Sequence, residues 1–412
     1  MSPLAITGLG VISRYGIGAT VLIDGLMGSA TEGSPRTGMP PEAQDAPVGI
    51  ADTDVAQALS GERTRTMNRE TRTLLATARL ALADAGLGRF GGERDGIVVS
   101  TCHAGVQDYA DLYRTGVREG PRMVNPARGP QTGLNAPAAH LGIRLAAEGP
   151  NMTVCNGNVG GLDALAYAAT TLYAGAADAM LVCGVELASH LSVPACSPRS
   201  PAPSSRSRGP SPRPFDRERS GAVAGEAAAV AVLERESDAR RRGALPRARL
   251  GAVASAFSPE HELADASLRS LVSALQRSPA SADSLVAALA GADGSVAEDA
   301  AEARALHSLL GGRVPVCAVQ GGIASCGGAT ALAQVAVAVL ALERGMLPPT
   351  VGYRSRGEDV APIRVLAGPQ PIPRGPVAVS VRDGLCCAAS AVLLPPPAPC
   401  APSTSKEVGC AA

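Results

Sequence analysis

The fold prediction starts from the stretch Val154-Cys155-Asn156-Gly157-Asn158-Val159-Gly160-Gly161-Leu162-Asp163-Ala164-Leu165. This pattern predicts the end of a strand, a tight Asn-Gly turn and the start of a long apolar helix. Asn158 stands at the mouth of that helix, where free N–H groups and the positive end of the dipole suit a nucleophile or an anionic intermediate. An amide is a poor nucleophile, so this position has the surroundings of a reaction centre but no nucleophilic side chain. The simpler interpretation is that Asn158 is a helix N-cap.

The second half of the chain repeats this pattern. Val314–Val319 predicts a strand, a Gly-rich turn follows, and an Ala/Val/Leu helix extends from about Ala329 to Arg344. Strands that are continuous apolar runs and alternate with helices indicate an α/β fold whose sheets are covered on both faces. The helices after Asn158 and after Ser325 are apolar on nearly all sides, which predicts a buried layer between two sheets. An internal duplication is the simplest explanation.

Other segments complete the outline. Residues 3–12 and 96–100 predict strands, residues 70–85 predict a helix, and residues 377–381 and 388–394 predict a pair of hairpin-like strands. Residues 264–275 and 282–289 are predicted as helices. The Pro-, Ser- and Arg-rich residues 194–214 predict a mobile loop. The longest apolar helical run, predicted as Val335–Leu342, is too short to cross a bilayer, and the N-terminus lacks the basic region of a signal peptide.

Composition excludes several functions. The 412 residues carry no net charge, which gives no support for nucleic-acid binding. Lys406 is the single lysine, so we predict no lysine chemistry in the folded body. Ten cysteines form no C-x-x-C pair, and neither a metal nor a cofactor is predicted.

Three further segments carry a resemblance to a known family. Ile6–Ser13 resembles the opening strand of the β-ketoacyl synthases, Asn135–Leu141 resembles their interface helix, and residues 214–228 resemble their P-F-D-x-x-R-x-G-x-x-x-G-E block. The resemblance implies a thiolase-like fold of two duplicated halves with α-β-α-β-α layers. It implies an N-terminal half at residues 1–245, a C-terminal half at 246–394 and a disordered Pro-rich tail at 395–412.

The family's condensation uses a Cys nucleophile, two His and a Lys. Matched one by one, the Cys falls on Asn158, the first His on Asp293, the Lys on Gln320 and the second His on Ser325. The chain has only five histidines, and none stands at either motif position. The resemblance therefore implies that no catalytic position is intact.

This pattern is similar to the chain length factors, the second ketosynthase-like subunits of type II polyketide synthases, although those usually carry Gln at the position of Asn158. The N-terminus and the short apolar runs predict a cytoplasmic protein, and the resemblance implies a non-condensing component of an acyltransferase complex. Its partners would be an active ketosynthase in a heterodimer, an acyl carrier protein and a growing polyketide or polyene chain. Candidate tunnel and interface residues are Tyr109, Tyr113, Ala127, Gly129, Thr132 and Gly133.

Several alternatives remain open at this point. Asn158 could polarise a thioester in a malonyl-carrier-protein decarboxylase. Cys155 or Cys326 could supply a displaced thiolate. His103 follows a strand and either faces a pocket or is a satisfied structural residue. The arginines at 240–242, 247 and 249 either attract an acidic carrier or form a solvated connector.

Overall fold

The computed structural model describes residues 2–28, 50, 52–189, 191–192, 212–260 and 262–396. The main strands there are β1 (Leu4–Ser13), β2 (Asp95–Ser100), β3 (Asn151–Val154), β4 (Ala179–Glu186), β5 (Ala227–Arg235), β6 (Ala248–Phe257), β7 (Ala287–Ala290), β8 (Pro315–Ala318), β9 (Val377–Asp383) and β10 (Cys387–Leu394). The main helices are α1 (Ala19–Met27), α2 (Asp52–Ala58), α3 (Arg69–Asp84), α4 (Val106–Glu119), α5 (Ala136–Leu145), α6 (Gly160–Tyr173), α7 (Glu236–Arg241), α8 (Leu263–Gln276), α9 (Val296–Leu310) and α10 (Thr330–Arg344). Two-residue strands lie at Gly16–Ile17, Met346–Leu347, Arg364–Val365 and Gln370–Pro371.

The strand order demonstrates the duplication. The first half is ordered β3-β2-β4-β5-β1, and the second half is ordered β8-β7-β9-β10-β6. In both, the first three strands are parallel and the remaining pairs are antiparallel. The halves join where Leu4–Ile6 of β1 pairs with Ala248–Leu250 of β6. The predicted thiolase-like α/β fold is confirmed.

Alternation along the strands creates five layers. On β4, Met180 and Val182 face a central core that contains α6 and α10, whereas Leu181 and Cys183 face α3 and α5 on the outside. The second half-sheet packs its other face against α8 and α9. Because the central helices are covered on both sides, most of their buried residues are small or apolar, and the buried Thr330 and Gln334 of α10 are hydrogen-bonded.

Two sequence predictions are wrong. Residues 282–289 are not a helix: a 3-10 turn at Ala282–Ser284 precedes the fully buried strand β7. Alanine favours a helix locally, but the parallel neighbours β8 and β9 impose an extended backbone. The apolar run is also longer than Val335–Leu342, although the helix that contains it, α10, has the predicted bounds to within one residue. Gly327–Arg344 has the length and composition of a membrane span, yet 78% of it is buried inside the protein, which makes it a core helix.

Two other predictions lie mostly outside the described residues. They are the mobile loop at 194–214 and the tail at 395–412. The division of the chain at residue 245 also stays a prediction.

Candidate functional site

Two glycine-rich turns meet at the centre of the molecule. Gly157–Val159 leads into α6, and Gly327–Ala329 leads into α10. A Cβ on Gly184 would lie 2.7 Å from the carbonyl oxygen of Gly328, and a Cβ on Gly328 would lie 2.6 Å from Cα of Thr101. Glycine is therefore required for this backbone contact, which brings Asn158 and Ser325 together from opposite halves.

Asn158 is held by three hydrogen bonds. Its Oδ1 accepts from Ser325 Oγ at 3.3 Å and from Thr330 Oγ1 at 3.5 Å. Its backbone N–H donates to Asp383 Oδ2 at 3.1 Å. The N-cap prediction is wrong, because the amide side chain bonds to these hydroxyl groups and makes no capping hydrogen bond to α6. Asn158 and Ser325 are thus coupled, as expected for two positions of one site.

Asp293 belongs to a buried ionic cluster around Arg382. The guanidinium of Arg382 is 1% exposed, and its Nη2 lies 3.1 Å from Asp293 Oδ1 and 2.5 Å from Asp299 Oδ1. Glu302 Oε2 is 3.3 Å from Nε, and Glu298 pairs with Nη1. One buried cation therefore serves four carboxylates.

Burial sets the protonation of this Arg382 cluster. Burial raises the pKa of Asp299 to about 6 and that of Glu302 to about 7, although Arg382 opposes both shifts. Burial also raises the pKa of Glu298. Burial opposes the charge on Arg382, but the four carboxylates outweigh it and its pKa is raised. The cluster can hold a proton at neutral pH, which reduces its excess negative charge.

Gln320 is buried away from Asn158 and Ser325. Its Nε2 donates to the carbonyl oxygen of Gly291 at 3.0 Å, and its Oε1 accepts from Gln334 Nε2 at 3.0 Å. Gln334 Nε2 also donates to Ala290 O at 2.6 Å. These bonds tie α10 to the end of β7, so the amide has a structural role.

A cavity of about 720 Å³ connects the other three positions. Its wall includes Asn158, Asp293 and Ser325, together with the hairpin tip at Asp383. Glu186, at the end of β4, accepts backbone N–H groups from Cys102 (2.7 Å), His103 (2.9 Å) and Gly328 (3.1 Å). These three bonds fix the Glu186 carboxylate at the cavity wall.

His103 lies against that carboxylate. Its Nδ1 is 3.3 Å from Glu186 Oε1, its side chain is 33% exposed, and it lines the cavity. The hydrogen bond to Glu186 raises the pKa of His103. Both alternatives for His103 are therefore correct, since it has a partner and also faces a pocket.

The described cysteines near the cavity are not activated. Burial, followed by the charge of Glu186, raises the pKa of Cys102 and that of Cys155. Cys326 is fully buried, and burial raises its pKa well above the usual value. None of these three environments favours a thiolate.

The predicted tunnel residues separate into two groups. Tyr109, Tyr113 and Thr132 line a groove of about 600 Å³, with Leu112, Gly116, Val117, Pro121 and Val124. Ala127 instead lines a polar cavity of about 820 Å³ beside α3, and neither Gly129 nor Gly133 lines either space.

Structural roles explain two other motifs. In the P-F-D block, Asp216 accepts from the backbone of Arg354 and Ser355, and Glu226 accepts from that of Ile50 and Ala188. The arginine cluster is neutralised, because each of its five members pairs with a carboxylate: Arg240, Arg241, Arg242, Arg247 and Arg249.

Sequence reasoning did not identify Arg382 and Glu186. Both end or nearly end a buried apolar strand, and a charged residue at such a place is a signal that could have been used. Among the described residues, no group of three or more His, Cys, Asp or Glu side chains is arranged to hold a metal ion.

Comparison with known proteins places the chain in a family. Residues 1–239 match the beta-ketoacyl synthase N-terminal domain, and residues 251–354 match the C-terminal domain. The tetracenomycin polyketide synthase ketoacyl synthase alpha subunit of Streptomyces glaucescens is 31% identical over 392 residues, which covers 85% of this chain and 87% of that protein.

Two solved structures share the fold. The ishigamide ketosynthase/chain length factor has a TM-score of 0.86 at 22% identity, covering 96% of this chain and 99% of that one. A type II polyketide ketosynthase bound to the hexaketide, in complex with its acyl-carrier protein, has a TM-score of 0.83 at 19% identity, with coverages of 96% and 99%. The chain belongs to the β-ketoacyl synthase family, among the ketosynthase-like subunits of type II polyketide synthases.

Proposed function

We propose that this chain is a non-condensing ketosynthase-like subunit, a chain length factor, which pairs with an active ketosynthase. The observation that carries the proposal is the state of the four catalytic positions. Asn158 and Ser325 bond to each other, Asp293 bonds to Arg382, and Gln320 bonds to Gln334. A thiolate and two imidazoles would be needed for condensation, and none stands at these positions.

The surface around α4 supports a partner subunit. No residue of this helix is buried, and Tyr109, Tyr113 and Val117 are 61%, 66% and 67% exposed. The edge strand β3 of the same half also exposes Met152. Exposed apolar side chains beside an unpaired strand edge are typical of a protein interface.

The groove on this surface supports a role in chain length. Tyr109 and Tyr113 stand on α4, and Thr132 lies opposite them on the Pro126–Thr132 turn. A partner seated over α4 would close the groove into a channel, and the two rings would set its width. The growing chain of the partner would enter there, while a carrier protein delivers it in the cytoplasm.

The cavity does not favour the malonyl decarboxylase alternative. Malonyl groups carry a carboxylate, and four carboxylates already line this cavity: Glu186, Asp293, Glu298 and Asp383. None of its described lining residues is Arg or Lys, and Arg382 behind the wall is shared among four carboxylates, so the wall keeps a net negative charge that repels a malonyl group.

Co-expression tests the proposal. A ketosynthase with intact Cys, His, His and Lys, encoded beside this chain, should co-purify with it in a 1:1 complex and elongate carrier-bound chains only in that complex. Asn158→Ala should leave the condensing rate nearly unchanged. Elongation by the ketosynthase at the same rate and length without this chain would overturn the proposal.

A further inference from the structure

The cavity around Asn158 retains two groups that the structural roles above do not use. Nδ1 of His103 lies 3.3 Å from Glu186 Oε1, and Nε2 has no partner among the described residues. The Oδ1 of Asn158 accepts hydrogen bonds from Ser325 and Thr330, and its Nδ2 has no hydrogen-bond partner among the described residues. Both side chains line the same cavity of about 720 Å³, a volume within the range of small-molecule sites.

The Glu186–His103 pair has the form of an oriented general base. Three backbone N–H groups fix the Glu186 carboxylate, and its position 3.3 Å from Nδ1 of His103 favours the tautomer that carries the proton on Nδ1. The hydrogen bond to Glu186 raises the pKa of His103, and an imidazole is the side chain that exchanges protons most readily near neutral pH. Cys102 cannot compete as a nucleophile, because burial keeps its thiol protonated.

Asn158 supplies a complementary donor. A side-chain amide N–H directed at a carbonyl oxygen stabilises the negative charge that develops during acyl transfer. Ser325 and Thr330 hold the amide oxygen from two sides, so Nδ2 has a fixed direction. The pair therefore offers a base and an oxyanion donor in one cavity.

The charge of the cavity wall selects the substrate class. Glu186 and Asp383 have no guanidinium partner among the described residues and disfavour an anionic acyl group such as malonyl, whereas Leu187, Val296 and Leu385 provide apolar surface for a neutral one. An acyl thioester is the form that a carrier protein would deliver if the proposed function is correct.

We propose that this cavity hydrolyses neutral acyl esters and thioesters, with His103 as the general base and Asn158 as the oxyanion donor. Water attacks the carbonyl carbon while Nε2 of His103 takes the water proton. The C–S or C–O bond then breaks, and the imidazolium returns the proton to the leaving sulfur or oxygen. The products are one free acid and one thiol or alcohol, and no other reactant is needed.

The test measures free acid by mass spectrometry after incubation with acetyl- and malonyl-N-acetylcysteamine and with an acetyl oxygen ester. The protein is the full chain, alone and co-expressed with a ketosynthase whose nucleophilic cysteine is replaced by Ala. Acetyl thioester should be hydrolysed above background and malonyl thioester at least tenfold more slowly. Hydrolysis of the oxygen ester alone would remove the carrier-delivered thioester as substrate and overturn that part of the proposal.

Variants separate the roles. His103→Gln should lower the acetyl rate by about 100-fold and Asn158→Ala by about 100-fold, as expected for a base and an oxyanion donor. His307→Gln, at an exposed position in the last turn of α9, is the matched control and should retain the full rate.

The pH profile gives an independent readout. The rate of hydrolysis should rise with pH through one ionisation, and His103→Gln should remove that ionisation. The titratable groups beside His103 are Glu186 and Cys102, and Asp293, Glu298 and Asp383 line the same cavity. The proposal would be overturned if the folded wild-type protein hydrolysed the acetyl thioester no faster than the background reaction without protein, or if His103→Gln left the rate unchanged. Heterodimer formation does not depend on this result, so its failure is distinguishable from failure of the proposed function.

Discussion

Replacing Arg382 tests the buried ionic cluster most severely. Arg382→Met keeps much of the side-chain volume but leaves Asp293, Asp299 and Glu302 without their shared cation. Removal of one partner from a buried ion pair costs about 3–5 kcal/mol, because the remaining charge is uncompensated. We expect a loss of this size in the free energy of unfolding at pH 8.

The loss should depend on pH. Without the guanidinium, the pKa values of Asp299 and Glu302 rise further, so lowering the pH protonates these two carboxylates and removes part of the uncompensated charge. Each unit of pKa rise corresponds to about 1.4 kcal/mol. The variant should therefore be closer to wild type at pH 5.5 than at pH 8.

Urea denaturation at the two pH values measures both effects. Arg313→Gln is the matched control, because Arg313 forms an ion pair with Asp283 in which both side chains are more than half exposed. The control should change the free energy of unfolding by less than about 1 kcal/mol. A loss below about 1 kcal/mol for Arg382→Met, or one equal at both pH values, would refute the assignment of the cluster.

Three further predictions address stability and the groove. In the wild type, the raised pKa values of Asp299 (about 6) and Glu302 (about 7) mean that the folded state binds more protons than the unfolded state. The contribution of these two groups to the free energy of unfolding is therefore complete near pH 4 and should be lost as the pH rises to about 7 in urea titrations. A contribution that rises over this range would contradict the prediction. Gly328→Ala should destabilise the protein by about 1–3 kcal/mol in the same assay, because its Cβ would meet the backbone of Thr101 at 2.6 Å; an unchanged midpoint would contradict the close contact. Tyr109→Ala and Tyr113→Ala, measured in the complex with the ketosynthase, should widen the groove and shift the products toward longer chains, whereas Leu245→Ala, an exposed control, should not; unchanged products would exclude the groove as the channel.

The repeated sequence pattern was enough to predict the layered fold, because strand, glycine-rich turn and apolar helix recur around Asn158 and around Ser325. It was not enough to place residues 287–290 in a strand, since alanine carries a helical preference that only the neighbouring strands override. The same limit applies to the site. Asn158 and Ser325 were identified by motif, but Arg382, which pairs with Asp293, and Glu186, which lies against His103, are distant from these partners in the chain, and only the fold brings them together.

The central claim is that carbon–carbon bond formation in the complex occurs on the partner subunit. Intact-protein mass spectrometry of the co-purified complex, after incubation with an acyl-carrier donor and malonyl carrier, tests it directly. The account predicts the acyl mass on the ketosynthase alone and an unmodified mass for this chain. Stable acylation of a cysteine on this chain, with elongation when it is purified alone, would contradict the account.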